Sequence, residues 1–250
     1  MKRVLITGGT SGIGLATAHR LAESQSAIVI NGRNSERGGQ ARAAILARKP
    51  DANVRFIAAD VSTQDGVSGL LAAAMDGFGG PIDVLVNSAG GEFIPTLFHE
   101  NTPEIVDRVI RHWLISTIYC CLLALPHLDD GAAIVNVASD AGKVPTPGES
   151  VIGAAMAGIS MFSRTLAMEA KRRKIRVNVV TPSLVRETLT HDRIMSNPFS
   201  SKLFGKALQA AHLGVVDADD VAAAIQFLVG KDAAKVTGQV ISINGGISAG

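Results

Sequence analysis

The sequence has only two cysteines and almost no excess of charge, and each shortage excludes a class of protein. Cys120 and Cys121 are neighbours, so a disulfide between them would be strained, and their spacing is not that of a metal site. Lysine and arginine together number 24 and the acidic residues 22, which offers no electrostatic case for binding nucleic acid or an anionic membrane. We therefore expect two core thiols in a reducing compartment, no metal and no nucleic-acid partner.

Long hydrophobic runs are also missing. The apolar stretch after Lys2 and Arg3 is three residues long, followed by a threonine and glycines, which is too short for the hydrophobic region of a signal peptide. The uncharged run over 112–128 has 17 residues and includes hydroxyl side chains and a proline, so it falls short of the ~20 apolar residues of a membrane span. We expect a cytoplasmic protein without a membrane partner, in which 112–128 forms a buried helix.

The chain is instead rich in apolar residues, 47% against 18% charged, which is enough to bury a large core. Runs of β-branched residues, apolar on both faces, alternate with segments of helical spacing, as in a parallel sheet covered by helices. The strand runs are 3–7, 27–31, 54–58, 83–87, 133–137, 176–180 and 239–243. The helical segments are 12–24, 37–49, 64–76, 103–125, 150–172 and 218–230. The sequence thus predicts a single α/β domain over 1–250, a doubly wound parallel sheet of about seven strands with helices on both faces, in which 183–215 is a substrate-covering lid.

A glycine-rich turn follows the first predicted strand and opens the first predicted helix. In such a turn Gly8 permits a tight bend, while Gly12 and Gly14 let the backbone and the helix N-terminus approach a pyrophosphate. The strand–turn–helix context favours dinucleotide binding over a purely structural turn. We predict that the cofactor contacts here are Thr7, Gly8, Thr10, Ser11, Gly12, Ile13 and Gly14.

The end of the second predicted strand indicates which dinucleotide binds. An NAD site commonly places an acidic residue there, but the nearest one is Glu36, inside the next helix. Arg33 and Asn34 stand in that place, and an arginine suits a ribose 2′-phosphate through charge-assisted hydrogen bonds. The sequence therefore favours NADP(H) over NAD(H), with a solvated loop cation as the alternative interpretation of Arg33.

These motifs, taken together, resemble the short-chain dehydrogenase/reductase family over nearly the whole chain. The resemblance rests on the spacing from Thr7 to Gly14, on Asp60-Val61, Asn87-Ser88-Ala89-Gly90, Asn136 to Ser139 and Asn178 to Pro182, and on the segment 238–246. It implies a Rossmann-type fold and a homodimer or homotetramer formed through the two long helices. It also implies a catalytic serine at Ser139 and further cofactor contacts at Asp60, Val61, Asn87, Ala89, Gly90 and Pro182.

The family's acid–base pair is missing from this sequence. The family places a Tyr-x-x-x-Lys pair about thirteen residues beyond the serine, where this chain has Ile152 and Met156. The only tyrosine, Tyr119, lies in the preceding helix, and Trp113 stands where the family has an asparagine. Isoleucine has no proton to exchange and methionine has no charge, so the resemblance implies a degenerate catalytic site.

Several residues could supply the missing acid or base, although each also fits a surface or capping role. They are Asp140, Glu92, Glu149 and His191. The expected pocket lining is apolar and favours a hydrophobic carbonyl or alcohol; it comprises Phe93, Ile94, Val144, Leu184, Val185 and Phe199. Three functions remain open: an NADP(H)-binding oxidoreductase, a non-redox isomerase, hydratase or lyase in the same pocket, and a non-catalytic nucleotide-binding scaffold or sensor.

Overall fold

All seven predicted strands form in the computed structural model, which describes residues 1–24, 26–91 and 93–249. The strands are β1 Arg3–Thr7, β2 Ala27–Gly32, β3 Asn53–Ala58, β4 Ile82–Asn87, β5 Leu128–Val137, β6 Arg176–Pro182 and β7 Val240–Ile243. The α-helices of the described residues are α1 Gly12–Glu23, α2 Ser35–Arg48, α3 Gln64–Phe78, α4 Pro103–Ile110, α5 Ser116–Ala124, α6 Ser150–Ala170, α7 Leu189–Ser196, α8 Pro198–Gln209 and α9 Ala218–Val229.

The strands form one parallel sheet in the order β3-β2-β1-β4-β5-β6-β7. This confirms the predicted doubly wound Rossmann-type domain. The chain winds in one direction from β1 to β3 and in the other from β4 to β7, so the order reverses between β1 and β4. A crevice opens at such a reversal beyond the carboxyl ends of the strands, and ligands of open α/β sheets bind there.

The inner strands of the sheet are buried on both faces, which explains why they are continuously apolar, whereas β3 and β7 at the edges are partly exposed. Val4 and Ile6 of β1 point into a core shared with α1, α2 and α9. Leu5 between them points to the other face, into a core shared with α3, α5 and α6. Each fully buried side chain of this size contributes about 1.5–3 kcal/mol relative to exposure.

The predicted helix over 103–125 is interrupted by a π-helical turn, Arg111–Ile115, between α4 and α5. The Ser116 hydroxyl donates to the carbonyl oxygen of His112 at 2.7 Å and lies 3.2 Å from that of Trp113. A serine that bonds back to the preceding turn satisfies carbonyl groups that a wider turn leaves out of the regular pattern. The interruption falls at Trp113, one of the residues singled out by the sequence.

Both cysteines are free and buried on α5, where it packs against the sheet. Burial raises the pKa of Cys121 to about 12 and the pKa of Cys120 further still. Hydrogen bonds to Asn87 and Asn136 oppose the shift at Cys121. Both thiols are therefore protonated core groups, as the sequence predicts.

Two helical stretches, Pro103–His127 and Ser150–Arg173, are long and apolar enough to cross a membrane when judged by length and composition alone. The core helices of soluble proteins pass the same test. The inner faces of both stretches belong to the core on the sheet, through residues such as Ala124 and Ala167. We therefore interpret them as core helices whose outer faces expose Leu122, Met161 and Met168.

Candidate active site

A cavity of about 880 Å³ lies at the carboxyl ends of the strands, where the strand order reverses. Its walls run from the end of β2, past the turns after β1 and β4, to the start of α6 and the segment that contains α7 and α8. Of the predicted cofactor residues, Gly8, Thr10, Ser11, Gly12, Ile13, Arg33, Asn34, Asp60, Val61, Ala89, Gly90 and Pro182 line it.

The glycine turn is closed too tightly for any other residue. Gly8 and Gly12 have φ of +65° and +50°, in the left-handed region that favours glycine. A Cβ on Gly8 would lie 2.4 Å from the carbonyl oxygen of Ser88, and one on Gly14 would lie 2.3 Å from that of Gly8. The bend brings the first amide groups of α1 to the cavity, where they and the helix dipole can stabilise an anion. The turn therefore fits the pyrophosphate of a dinucleotide.

The ribose end of the cavity is basic. Arg33 and Asn34 lie there with Arg37, which the sequence analysis missed and which the first turn of α2 carries to the same wall. The Asn34 side chain accepts a hydrogen bond from the Arg37 amide at 2.8 Å, which begins α2 at that point. Burial works to raise the pKa of Asp60, but hydrogen bonds from Ser62 and the charges of Arg33 and His112 hold it below its usual value. This end can thus bind a phosphate beside an ionised Asp60.

Three predicted cofactor residues, Thr7, Gly14 and Asn87, lie behind the cavity wall. The Asn87 amide donates to the side-chain oxygen of Asn136 at 2.9 Å, and the Asn136 amide donates to the Ser163 hydroxyl at 2.8 Å. This buried chain joins β4, β5 and α6 below the cavity. If these three residues contribute to binding, they do so indirectly, because they support the turns that line the cavity.

Ser139 lines the cavity among apolar neighbours. Its Oγ accepts a hydrogen bond from the Ala141 amide at 3.2 Å, and the hydroxyl can still donate to a ligand. Ile152 and Met156 line the same cavity and are 7% and 4% exposed. The turn after Ser139 rests directly on α6, since a Cβ on Gly153 would lie 2.6 Å from the Ala141 carbonyl oxygen. The helix therefore presents two apolar side chains without an ionisable group in the cavity that Ser139 lines.

Trp113 belongs to the same packed cluster as Ile152 and Met156 and also lines the cavity. A Cβ on Gly90, which has a φ of +155°, would lie 1.9 Å from the indole Nε1, so the indole lies directly against the turn after β4. Phe93 meets the indole edge-on with ring centroids 5.5 Å apart, and the Arg108 guanidinium carbon lies 5.5 Å from the centroid of the Phe93 ring. The tryptophan is thus part of a packed aromatic cluster.

Comparison with known proteins decides the family. The family model described as enoyl-(acyl carrier protein) reductase matches residues 8–248. This chain belongs to the short-chain dehydrogenase/reductase family. It is 32% identical to the 3-oxoacyl-(acyl-carrier-protein) reductase FabG of Chlamydia muridarum, over 99% of this chain and 97% of the relative. It is also 32% identical to the 2,3-dihydroxy-2,3-dihydro-p-cumate dehydrogenase of Pseudomonas putida, over 97% and 92% of the two chains. Both of these relatives are oxidoreductases, and the fold described above is that of their family.

A solved structure of the family is also similar over nearly its whole length. It is the NADPH-bound short-chain oxidoreductase of Pseudomonas aeruginosa PAO1, which contains an atypical catalytic center. The TM-score is 0.90 at 30% identity, and the match covers 99% of this chain and 97% of that one. An atypical catalytic centre therefore occurs in a relative that has the same fold as this chain.

Asp140, one of the predicted substitutes for the family's acid or base, lies in the cavity wall but is tied to the C-terminal segment. Its Oδ2 accepts hydrogen bonds from the Asn244 amide at 2.5 Å and from the Ser248 hydroxyl at 2.9 Å. The Lys143 ammonium lies 3.6 Å from Oδ1 and also bonds the Ser242 hydroxyl. The carboxylate is therefore engaged in holding residues 242–248 against the turn after β5.

The remaining predicted substitutes differ in what surrounds them. His191 of α7 lines the cavity, and its Nδ1 lies 3.2 Å from an Asp192 carboxylate oxygen. Glu92 lies outside the described residues. Glu149 lines the cavity just before α6, and burial raises its pKa to about 7 against an opposing hydrogen bond with Thr146. A carboxyl group with such a pKa can exchange a proton near neutrality.

In residues 1–24, 26–91 and 93–249, no three His, Cys, Asp or Glu side chains are grouped in a way that could hold a metal ion. The described site offers a hydrogen-bonding hydroxyl at Ser139 and carboxyl and imidazole groups in the cavity wall.

Proposed function

We propose that this protein is an NADP(H)-dependent oxidoreductase that acts on a hydrophobic carbonyl or alcohol through a degenerate catalytic site. The observation that carries this proposal is that the glycine turn, Arg33 and Ser139 open onto one continuous cavity. Ile152 and Met156 occupy the places of the family's tyrosine and lysine on α6. The binding cleft is complete while the proton relay of the family is absent.

The choice of NADP(H) rests on the ribose end of the cavity. Arg33 and Arg37 both line it, and a 2′-phosphate would meet two guanidinium groups there. The NADPH of the Pseudomonas aeruginosa relative supports the same preference here. When bound, the reduced nicotinamide supplies a hydride to a carbonyl carbon. The residues of the chain must hold that carbonyl and deliver the proton.

The choice of a hydrophobic substrate rests on the cavity wall beyond Ser139. Four of the predicted lining residues do line it: Phe93, Val144, Leu184 and Val185. Ile94 and Phe199 do not line it. Ile94 packs on the small core of Leu184, Ile194 and Phe204, and Phe199 is exposed and lies against Gly148. The lining adds further apolar side chains from the segment after β6: Leu189, Ile194, Leu203, Phe204 and Ala207.

The segment 183–215 is proposed to cover the substrate. It contains α7 and α8, two helices that the sequence did not predict, and both contribute residues to the cavity. A Thr190 hydroxyl and an Arg193 guanidinium donate to the Gly91 carbonyl oxygen at 3.4 and 3.0 Å, which joins α7 to the turn after β4. We further propose a cytoplasmic homodimer or homotetramer assembled through the exposed faces of α5 and α6.

The missing relay keeps two other functions in view, a non-redox enzyme in the same pocket and a non-catalytic nucleotide-binding scaffold or sensor. Three experiments distinguish these functions from the proposed one. They are calorimetric titration with NADPH and NADH, a structure with the cofactor that binds more tightly, and reduction assays on a panel of apolar ketones. We expect tight NADPH binding and measurable ketone reduction. A protein that binds no dinucleotide would contradict the proposal, and one that binds NADPH without reducing any ketone would favour the sensor.

A further inference from the structure

The proposed reduction needs a proton, and the carboxyl groups of the cavity wall are its candidate sources. Within the described residues, those that line the cavity are Asp60, Asp140 and Glu149. Asp60 lies at the ribose end, where it accepts a hydrogen bond from the Ser62 amide at 3.0 Å. Asp140 is held by Asn244 and Ser248. Glu149 is the one of these three that is both at the substrate end and engaged only with Thr146.

The backbone places Glu149 one helical turn before the part of α6 on which the turn after Ser139 packs. It directly precedes α6, one helical turn before Ile152, and its carbonyl oxygen accepts a hydrogen bond from the Gly153 amide at 2.5 Å. Its own amide donates to the Thr146 carbonyl oxygen at 3.0 Å. Since the turn after Ser139 packs on the same first turns of α6, the serine and the glutamate share one wall of the cavity.

Apolar residues flank Glu149 along the chain and in the cavity wall. A Cβ on the preceding Gly148 would lie 2.7 Å from a ring carbon of Phe199 and 3.3 Å from Pro95, so α8 and the loop after β4 pack against the backbone next to Glu149. Ile152 and Val144 lie on its own wall. Burial without a neighbouring cation raises the pKa of a carboxyl group, which is how an acid is kept protonated near neutral pH.

Charged groups from the packed elements have other partners. Arg193 of α7 donates to the Gly91 carbonyl oxygen, His191 pairs with Asp192, and Lys143 of the turn after β5 pairs with Asp140. His112, in the π-helical turn between α4 and α5, interacts with Asp60. Among the described residues no cation forms an ion pair with Glu149, so its protonation depends on burial and on Thr146.

We propose that Glu149 is the general acid that takes the place of the absent tyrosine. This inference rests on the proposed oxidoreductase function. As the hydride and its electron pair reach the carbonyl carbon, the O–H bond of Glu149 breaks and its proton goes to the carbonyl oxygen, which the Ser139 hydroxyl orients. The products are the alcohol and the oxidised cofactor, and the carboxylate recovers a proton from water. In alcohol oxidation the same carboxylate acts as the base.

The test compares Glu149→Gln and Glu149→Asp with the unaltered protein. Glu169→Gln is the matched control, because Glu169 lies on the exposed side of the same helix and the substitution changes charge equally. We expect Glu149→Gln to lower kcat/KM for ketone reduction by at least about 100-fold. NADPH affinity should be unchanged in all three variants, and Glu149→Asp should retain part of the activity.

The pH profile supplies a second readout. Reduction by the unaltered protein should fall above pH ~7 as Glu149 ionises, and oxidation should rise over the same range. Glu149→Gln should lack this limb and Glu149→Asp should keep it. If Glu149→Gln does not fold, the pKa of Glu149 in the unaltered protein can be measured by carboxyl ¹³C NMR. The Glu149→Asp variant identifies the Glu149 signal, because that signal disappears from its spectrum.

The outcomes separate the two proposals. Active unaltered protein together with a Glu149→Gln variant of equal turnover or an unchanged pH profile overturns the acid role alone. A Glu149 carboxyl group that titrates at its ordinary value also overturns it. Unaltered protein that binds NADPH but reduces no ketone overturns the oxidoreductase function and, with it, the acid role.

Discussion

Replacing Glu149 with glutamine should change how stability depends on pH, whatever the reaction proves to be. The pKa of this group rises from 4.5 to about 7 on folding because the carboxyl group is buried. Below pH 4.5 the group is neutral in both the folded and the unfolded chain, so burial carries no ionisation penalty. As pH rises from 4.5 to about 7, the unfolded chain releases the proton while the folded chain retains it, and the free energy of unfolding falls.

The size of the effect follows from the same shift. A rise from 4.5 to about 7 is about 2.5 pKa units, which corresponds to roughly 3 kcal/mol at 1.36 kcal/mol per unit. The free energy of unfolding falls by this full amount once the group is ionised in both the folded and the unfolded chain. Glutamine does not ionise, so Glu149→Gln should match the unaltered protein near pH 4 and exceed its stability by up to ~3 kcal/mol at pH 8. In a chain of this size each kcal/mol shifts Tm by about 2–4 °C.

Urea denaturation followed by circular dichroism at several pH values measures the difference. Glu169→Gln is again the control, since an exposed glutamate on the same helix should leave the pH dependence unchanged. Parallel stability curves for Glu149→Gln and the unaltered protein from pH 4 to 8 would refute the argument, because they would show that the carboxyl group ionises equally well in the folded and unfolded chain.

Three further substitutions test other parts of the cleft. Arg33→Asp should weaken NADPH binding by roughly 1.5–3 kcal/mol and reverse or remove the preference over NADH in calorimetric titration, whereas Arg48→Asp at the far end of α2 should not. Ile152→Ala should cost about 2–5 kcal/mol of stability in urea denaturation with less effect on turnover, and a large loss of turnover with unchanged Tm would contradict this. Ile152→Tyr combined with Met156→Lys should raise ketone reduction at least ~100-fold, much more than either change alone. Adding Trp113→Asn should help further, and a folded, NADPH-binding triple variant that reduces nothing would mean that the pocket has diverged beyond its relay.

The sheet could be predicted from the sequence because a strand that is buried on both faces must be apolar throughout. The predicted runs at 3–7 and 27–31 differ from β1 and β2 by at most one residue. The glycine turn was equally predictable, since a left-handed backbone at Gly8 is a local requirement that a sequence displays directly. These features depend on neighbours in the chain.

Two features around the site were missed for different reasons. The helices α7 and α8 have an apolar periodicity no weaker than that of α1 and α2, so the sequence carried a signal for them, and residues such as Ile194 and Phe204 pack them on the cavity. The π-helical turn at Trp113 has no pattern of its own in the sequence. Both lie where the chain wraps the site.

The candidate substitutes show the same limit. From sequence, Asp140 and Glu149 are equivalent carboxylates near Ser139. Only the fold shows that Asn244, about a hundred residues away in the chain, donates a hydrogen bond to Asp140, whereas Glu149 interacts with Thr146 and has a raised pKa because of burial. Arg37 could have been found, because a helix that begins at Asn34 must carry its first-turn side chains to the same end of the sheet.

The two buried thiols of α5 can be used to measure how often this helix separates from the sheet. A thiol reacts with alkylating reagents as an exposed thiolate, and Cys120 and Cys121 are neither exposed nor ionised in the folded chain. Labelling under native conditions therefore proceeds only when α5 separates from the sheet. The labelling rate then reports the equilibrium between the closed and the opened state of this helix. Because Cys121 contacts Asn87 and Asn136 beneath the cavity, a dinucleotide that stabilises the turns above should slow the labelling in proportion to its affinity.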